Sequence, residues 1–511
     1  MPNLTKSKLM AYRQCPKRLW LEIHKPELRD DSASQMAFAT GNEVGKAARQ
    51  AFDLDGKGTL VDVETLGHAA AIEETKRLLA EGAGPIFEAG ISAVGGLAYA
   101  DVMLPDRTDG VLRWRMIEVK SSTSVKDYQR DDIAVQAYLA KEAGIPLVSA
   151  SLAYINRDFS YSGRAGYQGL FKLVELGDEA AERHEEVKGW FKKAQEVADL
   201  DVEPEIGTGD QCYSPFSCGF LSYCNRNKVS PDYPLSSLPG LRQPRREAIE
   251  DTGVDDLREA PDHLLNDLQK RVKHCSATGE VFFQADAAAA KLAPYGYPAR
   301  FLDFETITFA VPRLDYTRPY EQVPFQFSLH TLQSDERLIH NGLMHHEFLD
   351  LSGNNPSDEC ALELVRLCGS EGPIYAYNAG FEAKVIRDMA NSHHDEIGDA
   401  LRSIEARLVD LLPIARHHYY HPIQHGSWSL KAVLPAICPD LSYSELEGVQ
   451  DGTMAQTAYL EAIDPATSAE RKETLRRQLH DYCRLDTLAL VRLYYFFKGD
   501  PFDDYYTYTQ V

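Results

Sequence analysis

Phe301-Leu302-Asp303-Phe304-Glu305-Thr306 is the stretch whose reading decides the C-terminal half of the chain. It follows a turn-rich run, Pro294-Tyr-Gly-Tyr-Pro298. Read as a strand, it alternates faces. Leu302 and Phe304 then point one way, and Asp303 and Glu305 the other. Two carboxylates on one face of a short apolar strand repel each other and lose hydration. A divalent cation is the usual compensation. Asp303 and Glu305 are therefore expected to begin a two-metal phosphoryl-transfer site, and the remaining chain should supply further ligands.

The chain has 511 residues, too many for one ordinary core, so two or three domains are expected. Hydrophobic residues make up 44% and charged residues 26%, the balance of a soluble globular protein. No apolar run reaches the length of a membrane span. The first residues, Met1-Pro-Asn-Leu-Thr-Lys-Ser-Lys8, lack a signal-peptide core, so a cytoplasmic protein with no membrane partner is expected. A net charge of −23 argues against coating nucleic acid by bulk electrostatics, although a local basic groove stays compatible with it.

Upstream, Ala98–Leu104 and Val111–Lys120 read as the arms of a β-hairpin around the turn Pro105-Asp-Arg-Thr-Asp-Gly110. Glu118 and Lys120 are two apart and share a face, while Ile117 and Val119 occupy the other. Asp101 on the partner arm can face the pair. An Asp followed by Glu-x-Lys on the next strand is a minimal kit for metal-dependent phosphodiester cleavage. The acids hold a metal that activates water, and the lysine neutralises developing charge. A plain salt bridge on a hairpin is the competing reading. A helix from Asp127 to Gly144 can present Asp132 or Gln136 to this face. The charged stretch Glu179–Val197 reads as a solvated helix.

Three of the nine cysteines, Cys212, Cys218 and Cys224, are spaced Cys-x5-Cys-x5-Cys. Structural zinc uses closer pairs, so this spacing fits zinc poorly. With Cys15, which precedes Pro16, the trio makes a four-thiolate set suited to an iron–sulfur cluster. Packed core cysteines are the alternative.

Tyr12-x2-Cys15-Pro16, Asp101, Glu118-Val119-Lys120 and the cysteine trio together resemble the RecB-like nucleases of the PD-(D/E)XK superfamily. The closest likeness is to their iron–sulfur branch, which includes the CRISPR-associated exonucleases. The resemblance covers about residues 1–228. It implies a nuclease fold in which Cys15, Cys212, Cys218 and Cys224 bind a [4Fe-4S] cluster around catalytic Asp101, Glu118 and Lys120. The family's Gln-x3-Tyr motif is not literal here, because Gln136 is followed at that offset by Ala140.

Residues 229–297 read as a helical connector, with the linker chemistry of Ser230-Pro-Asp-Tyr-Pro234 and helical pieces near 244–250 and 262–274. A third region spans 298–511. After the opening strand, 323–331 and 337–349 read as strands and 357–368 as a helix. Ile374–Ala383 reads as a strand running into a helix, with Asn378 at the turn and Glu382 in the first helical turn. Leu479–Phe497 is a strong helix in which Tyr482 and Asp486, four apart, share a face. Asp486 can complete a metal site, and the Tyr482 hydroxyl can hold an attacking water.

Asp303-x-Glu305, then Asn378-Ala-Gly-Phe-Glu382, then Tyr482-x3-Asp486 resemble, in that order, the DnaQ-like 3′–5′ exonucleases. These have the RNase H-like fold, and the likeness is to their tyrosine-bearing DEDDy branch. Glu382 stands where the family has Asp. The two likenesses together resemble a bacterial family that joins an iron–sulfur RecB-like nuclease to an RNase H-like domain. That likeness is one of arrangement and gives no substrate; the expectation is a bifunctional exonuclease using Mg²⁺ or Mn²⁺, with nucleic acid as partner and DNA expected over RNA. The alternatives are an RNA-directed exonuclease, or a nucleic-acid-binding or assembly module with one or both sites idle.

Overall fold

The computed structural model describes residues 4–32, 35–163, 166–228, 231–334 and 343–500, with the backbone of 509–510. The chain is mixed α/β and divides into two units. One is Met1–Lys228 with Phe309–Glu321, and the other is Val229–Thr308 with Gln322–Val511. Among the described residues no helix is long and apolar enough to cross a membrane.

The first unit begins with α1 (Lys6–Gln14) and α2 (Pro16–His24). Thr5 caps α1 by accepting from the Lys8 amide at 3.3 Å. Pro16 opens α2 at a position where a missing N–H costs nothing. Next come α3 (Gln35–Phe52) and α4 (His68–Glu81). They are followed by β1 (Ile86–Ala93), β2 (Gly96–Asp106), β3 (Arg113–Lys120), α5 (Asp127–Glu142) and β4 (Leu147–Ile155). β5 (Phe171–Glu175) and α6 (His184–Ala198) complete the unit's main elements.

The sheet runs in the order Thr59–Leu60, β1, β2, β3, β4, β5, and Leu4–Thr5 adds beside β2. β1, β2 and β3 form an antiparallel meander, and β4 lies parallel to β3. Val102 pairs with Ile117, as the hairpin reading requires. Ile117 and Val119 bury on the α3 side with Val44 and Ala47. Trp114 and Met116, on the other face, share a core with Ile133 and Leu139 of α5. The charged stretch 179–197 departs from the expectation of one solvated helix. It breaks at Arg183, and α6 buries Val187, Trp190 and Phe191 in that same core.

The second unit contains α7 (Asp267–Thr278), β6 (Ala299–Ile307), β7 (Val323–Leu332), β8 (Leu343–Leu349) and α8 (Ser357–Cys368). It continues with β9 (Ile374–Ala376), α9 (Gly380–Ser392), β10 (Leu408–Asp410), α10 (Leu430–Ile437) and the 30-residue α11 (Ala469–Lys498). Its sheet order is β10-β9-β6-β7-β8, with Thr509–Gln510 along the outer edge of β8. β6, β7 and β8 are antiparallel neighbours, whereas β9 and β10 run parallel to β6. The strand expected over 337–349 is described from Leu343, and its first part lies outside the described residues.

Residues 229–297 are not a separate connector. Leu235, Leu238, Ile249, Leu257, Val272 and Leu292 are buried in one core with Phe301, Tyr375 and Trp428. These apolar side chains are spread over short helices whose periodicity is too brief to read as a buried face. The physical boundary is therefore the one after Lys228.

Candidate active sites

In the second unit, strand alternation sends Phe304 into the core with Leu302 and Phe327. Asp303 and Glu305 go to the face covered by α11. Several polar contacts hold α11 there. The Gln326 amide donates to the Leu479 carbonyl at 2.9 Å. Ser328 Oγ sits 2.7 Å from Thr487 Oγ1, and Thr487 Oγ1 sits 2.8 Å from His330 Nδ1. Ser328 also lies 2.9 Å from His345 Nε2. This buried network fixes the rotation of α11, so that Tyr482 and Asp486, one turn apart, look back at β6.

The result is a carboxylate cluster. One ligand oxygen each of Asp303, Glu305 and Asp486 lies within 4.8 Å of the others. Glu305 and Asp486 are 8% and 6% exposed. Burial first, and then the Asp486, Glu305 and Glu382 charges, push the Asp303 carboxyl well above the usual carboxylate range. Burial and Asp486 raise Glu305 to about 8, against the pull of Lys431. Burial raises Asp486 to about 6, restrained by Tyr443, Lys431 and Tyr482.

Glu382, in the first turn of α9, lies outside the close trio. It is 3% exposed, and burial pushes it up to about 8. Its Oε2 is buried with no hydrogen-bond partner. The turn before it is set by Asp410, whose Oδ1 accepts from the Asn378 and Leu412 amides at 2.9 Å each. Asn378 adopts φ +63°, which a short polar side chain tolerates better than most.

Tyr482 is 4% exposed, and burial followed by the Asp486 charge holds its phenol protonated far above neutral pH. It hydrogen-bonds Asp486. A second phenol, Tyr443, donates to Asp486 Oδ1 at 2.6 Å. Lys431, from α10, lies over both rings at 5.1 and 5.5 Å. A cavity of about 740 Å³ opens onto the cluster, and Arg416, Lys431 and Trp428 are in its wall. Tyr443 and Lys431 lay outside the sequence-derived set. Tyr443 comes from a short 3₁₀ segment, and Lys431 from the second position of a helix, with no local pattern to mark either.

Three buried carboxylates, a half-buried Asp303, raised pKa values and an orphaned Glu382 oxygen together fit hard divalent cations, which take oxygen ligands. Asp303, Glu305 and Asp486 would hold such an ion, with Glu382 at its margin. Added Mg²⁺ or Mn²⁺ is therefore expected to raise the melting midpoint. The gain should be about 3 kcal/mol of stability at a hundredfold excess over the dissociation constant. Calorimetry with and without chelator measures it, and an unshifted midpoint would contradict the fit.

The first unit's site has the opposite charge balance. Glu118 is 2% exposed. Its Oε1 accepts from Lys6 at 2.6 Å and Lys120 at 2.7 Å, and its Oε2 from Gln136 at 2.5 Å. Lys120 also pairs with Asp132, and Lys6 lies 3.5 Å from the same carboxylate. Burial pushes Glu118 up, but the Lys120 and Lys6 charges more than reverse it, leaving its carboxyl well below the usual range. Burial and Glu118 push Asp101 well above its ordinary value. Asp101 Oδ2 accepts from the Val119 amide at 2.6 Å, where the two arms separate. Both residues that α5 was expected to offer, Asp132 and Gln136, face the site.

Lys6 and Glu88 were not anticipated. Lys6 is the first residue of α1 and reaches Glu118 only through the tertiary fold. Glu88 sits at an irregularity in β1, at φ +56°, where the register passes from Phe87 to Ala89. Burial and the Glu118 charge raise its carboxyl. Oxygen donors from Asp101 and Glu118 suit a divalent ion here too, but Glu118 would share its charge with two ammonium groups. The fit is looser than in the second unit.

Cys15 stands at the junction of α1 and α2, and Cys212, Cys218 and Cys224 return to it. The Gln14 amide donates to the Gln211 and Phe216 carbonyls, each at 2.7 Å, tying the two ends of the unit together. The Cys218 amide donates to the Cys212 carbonyl at 2.8 Å. Charges on Cys15 and Cys212 are felt by both Cys218 and Cys224, so all four thiols share one neighbourhood. All nine cysteines are free. Among the described residues the four thiols do not gather within 4.8 Å as the acidic trio does. A single tetrahedral zinc, with Zn–S near 2.3 Å, would need its sulfurs roughly 3.8 Å apart.

The family model described as a domain of unknown function (DUF2779) matches residues 300–429. No curated protein matches the chain. Over those residues, which include Asp303, Glu305 and Glu382 but not Tyr482 or Asp486, the chain is similar to that family.

Proposed function

We propose that this protein is a metal-dependent nuclease with two phosphodiester-cleaving sites, exonucleolytic and acting on DNA. The observation that carries this reading is the close convergence of half-buried Asp303 with buried Glu305 and Asp486 beside the Tyr482 phenol. The strand order β8-β7-β6-β9-β10 agrees with the RNase H-like arrangement suggested by the motif order. The run from α4 through β1, β2, β3, α5 and β4, with β4 parallel to β3, agrees with the PD-(D/E)XK arrangement.

In the second site, Lys431 and Arg416 offer cationic contacts to a phosphodiester entering the cavity. Tyr443 orients Asp486, and the protonated Tyr482 hydroxyl, whose hydrogen goes to Asp486, holds a water by accepting from it. Mg²⁺ or Mn²⁺ bound by the carboxylates would supply Lewis-acid polarisation and lower the pKa of water. In the first site, Lys120 stabilises charge developing on a phosphate oxygen, and Gln136 fixes the Glu118 carboxylate. Labelled single strands incubated with the full chain and Mn²⁺ test the proposal. Degradation that stops with chelator is expected, and intact DNA and RNA under both conditions would overturn it. For the first site alone, the neutralisation of Glu118 by Lys6 and Lys120 favours a second reading, in which that site binds nucleic acid without cutting it.

The four cysteines form the ligand set of a [4Fe-4S] cluster in this reading. Their spread is wider than one zinc ion asks, and Lys17 and Arg18 place positive charge near Cys224 and Cys218. Anaerobically purified protein is expected to be brown with absorbance near 400 nm, lost in Cys15→Ala. Colourless protein with stoichiometric zinc would contradict this assignment.

A further inference from the structure

Phe309–Glu321 joins β6 to β7 in sequence, yet it belongs to the first unit. Its ends meet, because the Tyr320 amide donates to the Phe309 carbonyl at 2.8 Å. This makes it a closed loop that packs through its own side chains. Ala310 and Val311 are 4% and 5% exposed and share a core with Val44, Ile117 and Val119. The Tyr316 amide donates to the Tyr161 carbonyl at 2.7 Å, and the Tyr161 amide to Thr317 at 3.0 Å. Arg313 pairs with Glu43.

Two non-glycine residues of the loop, Tyr316 and Tyr320, hold φ of +64° and +59°. L residues adopt that conformation at a cost, and such strain persists where surrounding contacts over-determine it. Tyr316 is 80% exposed. Tyr320 is half-buried, and its hydroxyl donates to the Ser121 carbonyl, next in the chain after Lys120. Tyr320 also stands in the wall of a cavity of about 1110 Å³, together with Lys6, Lys120, Lys126 and Arg157.

We propose that Tyr320 is a positioning residue of the first site, holding the strand end that carries Glu118 and Lys120 through its hydroxyl on Ser121. The first site is thus completed by a loop encoded beyond the second unit's opening strand. This rests on the reading of the Glu118 site as phosphodiester-cleaving. Ser121 follows the last residue of β3, and the Ser122 carbonyl beyond it accepts from the Ile155 amide of β4 at 2.9 Å. A Ser121 carbonyl fixed on the other side by Tyr320 limits the motion of the Lys120 ammonium. No other part of the loop reaches the catalytic strand through a side-chain hydroxyl among the described residues.

The test uses the full chain in an Asp303→Asn background, which leaves only Glu118-dependent cleavage to be read. Tyr320→Phe removes one oxygen and keeps the ring in its core. It is expected to lower kcat about 10-fold with KM nearly unchanged, as a small misplacement of a catalytic group does. Amide exchange across 118–122 should quicken while the remaining sheet is unaffected. Unchanged kcat, or unchanged exchange in that segment, overturns the proposal. If the Asp303→Asn background itself shows no Glu118-dependent cleavage, the nuclease reading of this site falls. The exchange measurement still decides whether Tyr320 holds the strand end.

Discussion

Asp303→Asn is expected to cut the second site's cleavage rate about 1,000-fold, or ~4 kcal/mol of transition-state stabilisation. In the metal-free protein it should also raise stability at neutral pH. Both effects come from one arrangement. Asp303, Glu305, Glu382 and Asp486 are crowded at the wall of one cavity with three of the four buried, and each carboxyl is pushed up. A raised carboxyl pKa means that the folded state holds protons the unfolded state has released. Stability of the metal-free protein therefore falls as pH rises from above about 4, and continues to fall towards the folded value near 8 for Glu305 and Glu382. Asn at 303 removes one charge from the crowd and flattens that slope. Denaturant melts of wild type and variant at pH 5 and pH 8, with chelator present, measure it. A variant less stable than wild type at pH 8 would count against the crowded-carboxylate account.

Glu118→Gln is expected to abolish the first site's activity by a similar factor, but with the opposite effect on stability. Glu118 is the common acceptor of Lys6, Lys120 and Gln136. Removing its charge leaves two largely buried ammonium groups to share Asp132. Breaking one partner of a buried pair costs about 3–5 kcal/mol. Since the lysine side chains keep 17% and 23% exposure, the expected loss lies at or below the lower end, about 2–3 kcal/mol. The depressed Glu118 carboxyl gives stability that is present at neutral pH and lost as pH falls through its low folded value. The two acidic sites are thus distinguished by the sign of a single mutational effect. Melts of Glu118→Gln and Asp303→Asn in parallel read that sign, and equal signs would show that one charge balance has been misassigned.

The parts of these sites that were legible in the sequence are those with a period. Asp303 and Glu305 alternate with Leu302 and Phe304, Glu118 alternates with Val119, and Tyr482 and Asp486 are one helical turn apart. Alternation and helical spacing fix which side chains share a face before any tertiary contact forms. Glu382 was legible as the opening of a helix after a strand, although its distance from the close trio was not. Residues whose function depends on where a loop or terminus lands were invisible. Tyr443 reaches Asp486 from a short 3₁₀ segment. Lys6 reaches Glu118 across 112 residues. Glu88 turns toward the site because β1 is irregular there. The connector reading failed for a related reason. Its apolar residues are scattered over short helices, and their common burial appears only when they meet Phe301 and Trp428. Tyr320 is the extreme case, since a loop between two strands of one unit carries no local sign that it belongs to the other.

The central claim, two separate metal-dependent cleaving sites in one chain, is tested most directly by an end-labelled strand panel. It compares wild type, Asp303→Asn, Glu118→Gln and the double variant in Mn²⁺. Each single variant is expected to lose a different cleavage activity and keep the other, and the double variant to leave every strand intact. Wild-type cleavage of all substrates by the double variant would contradict the account.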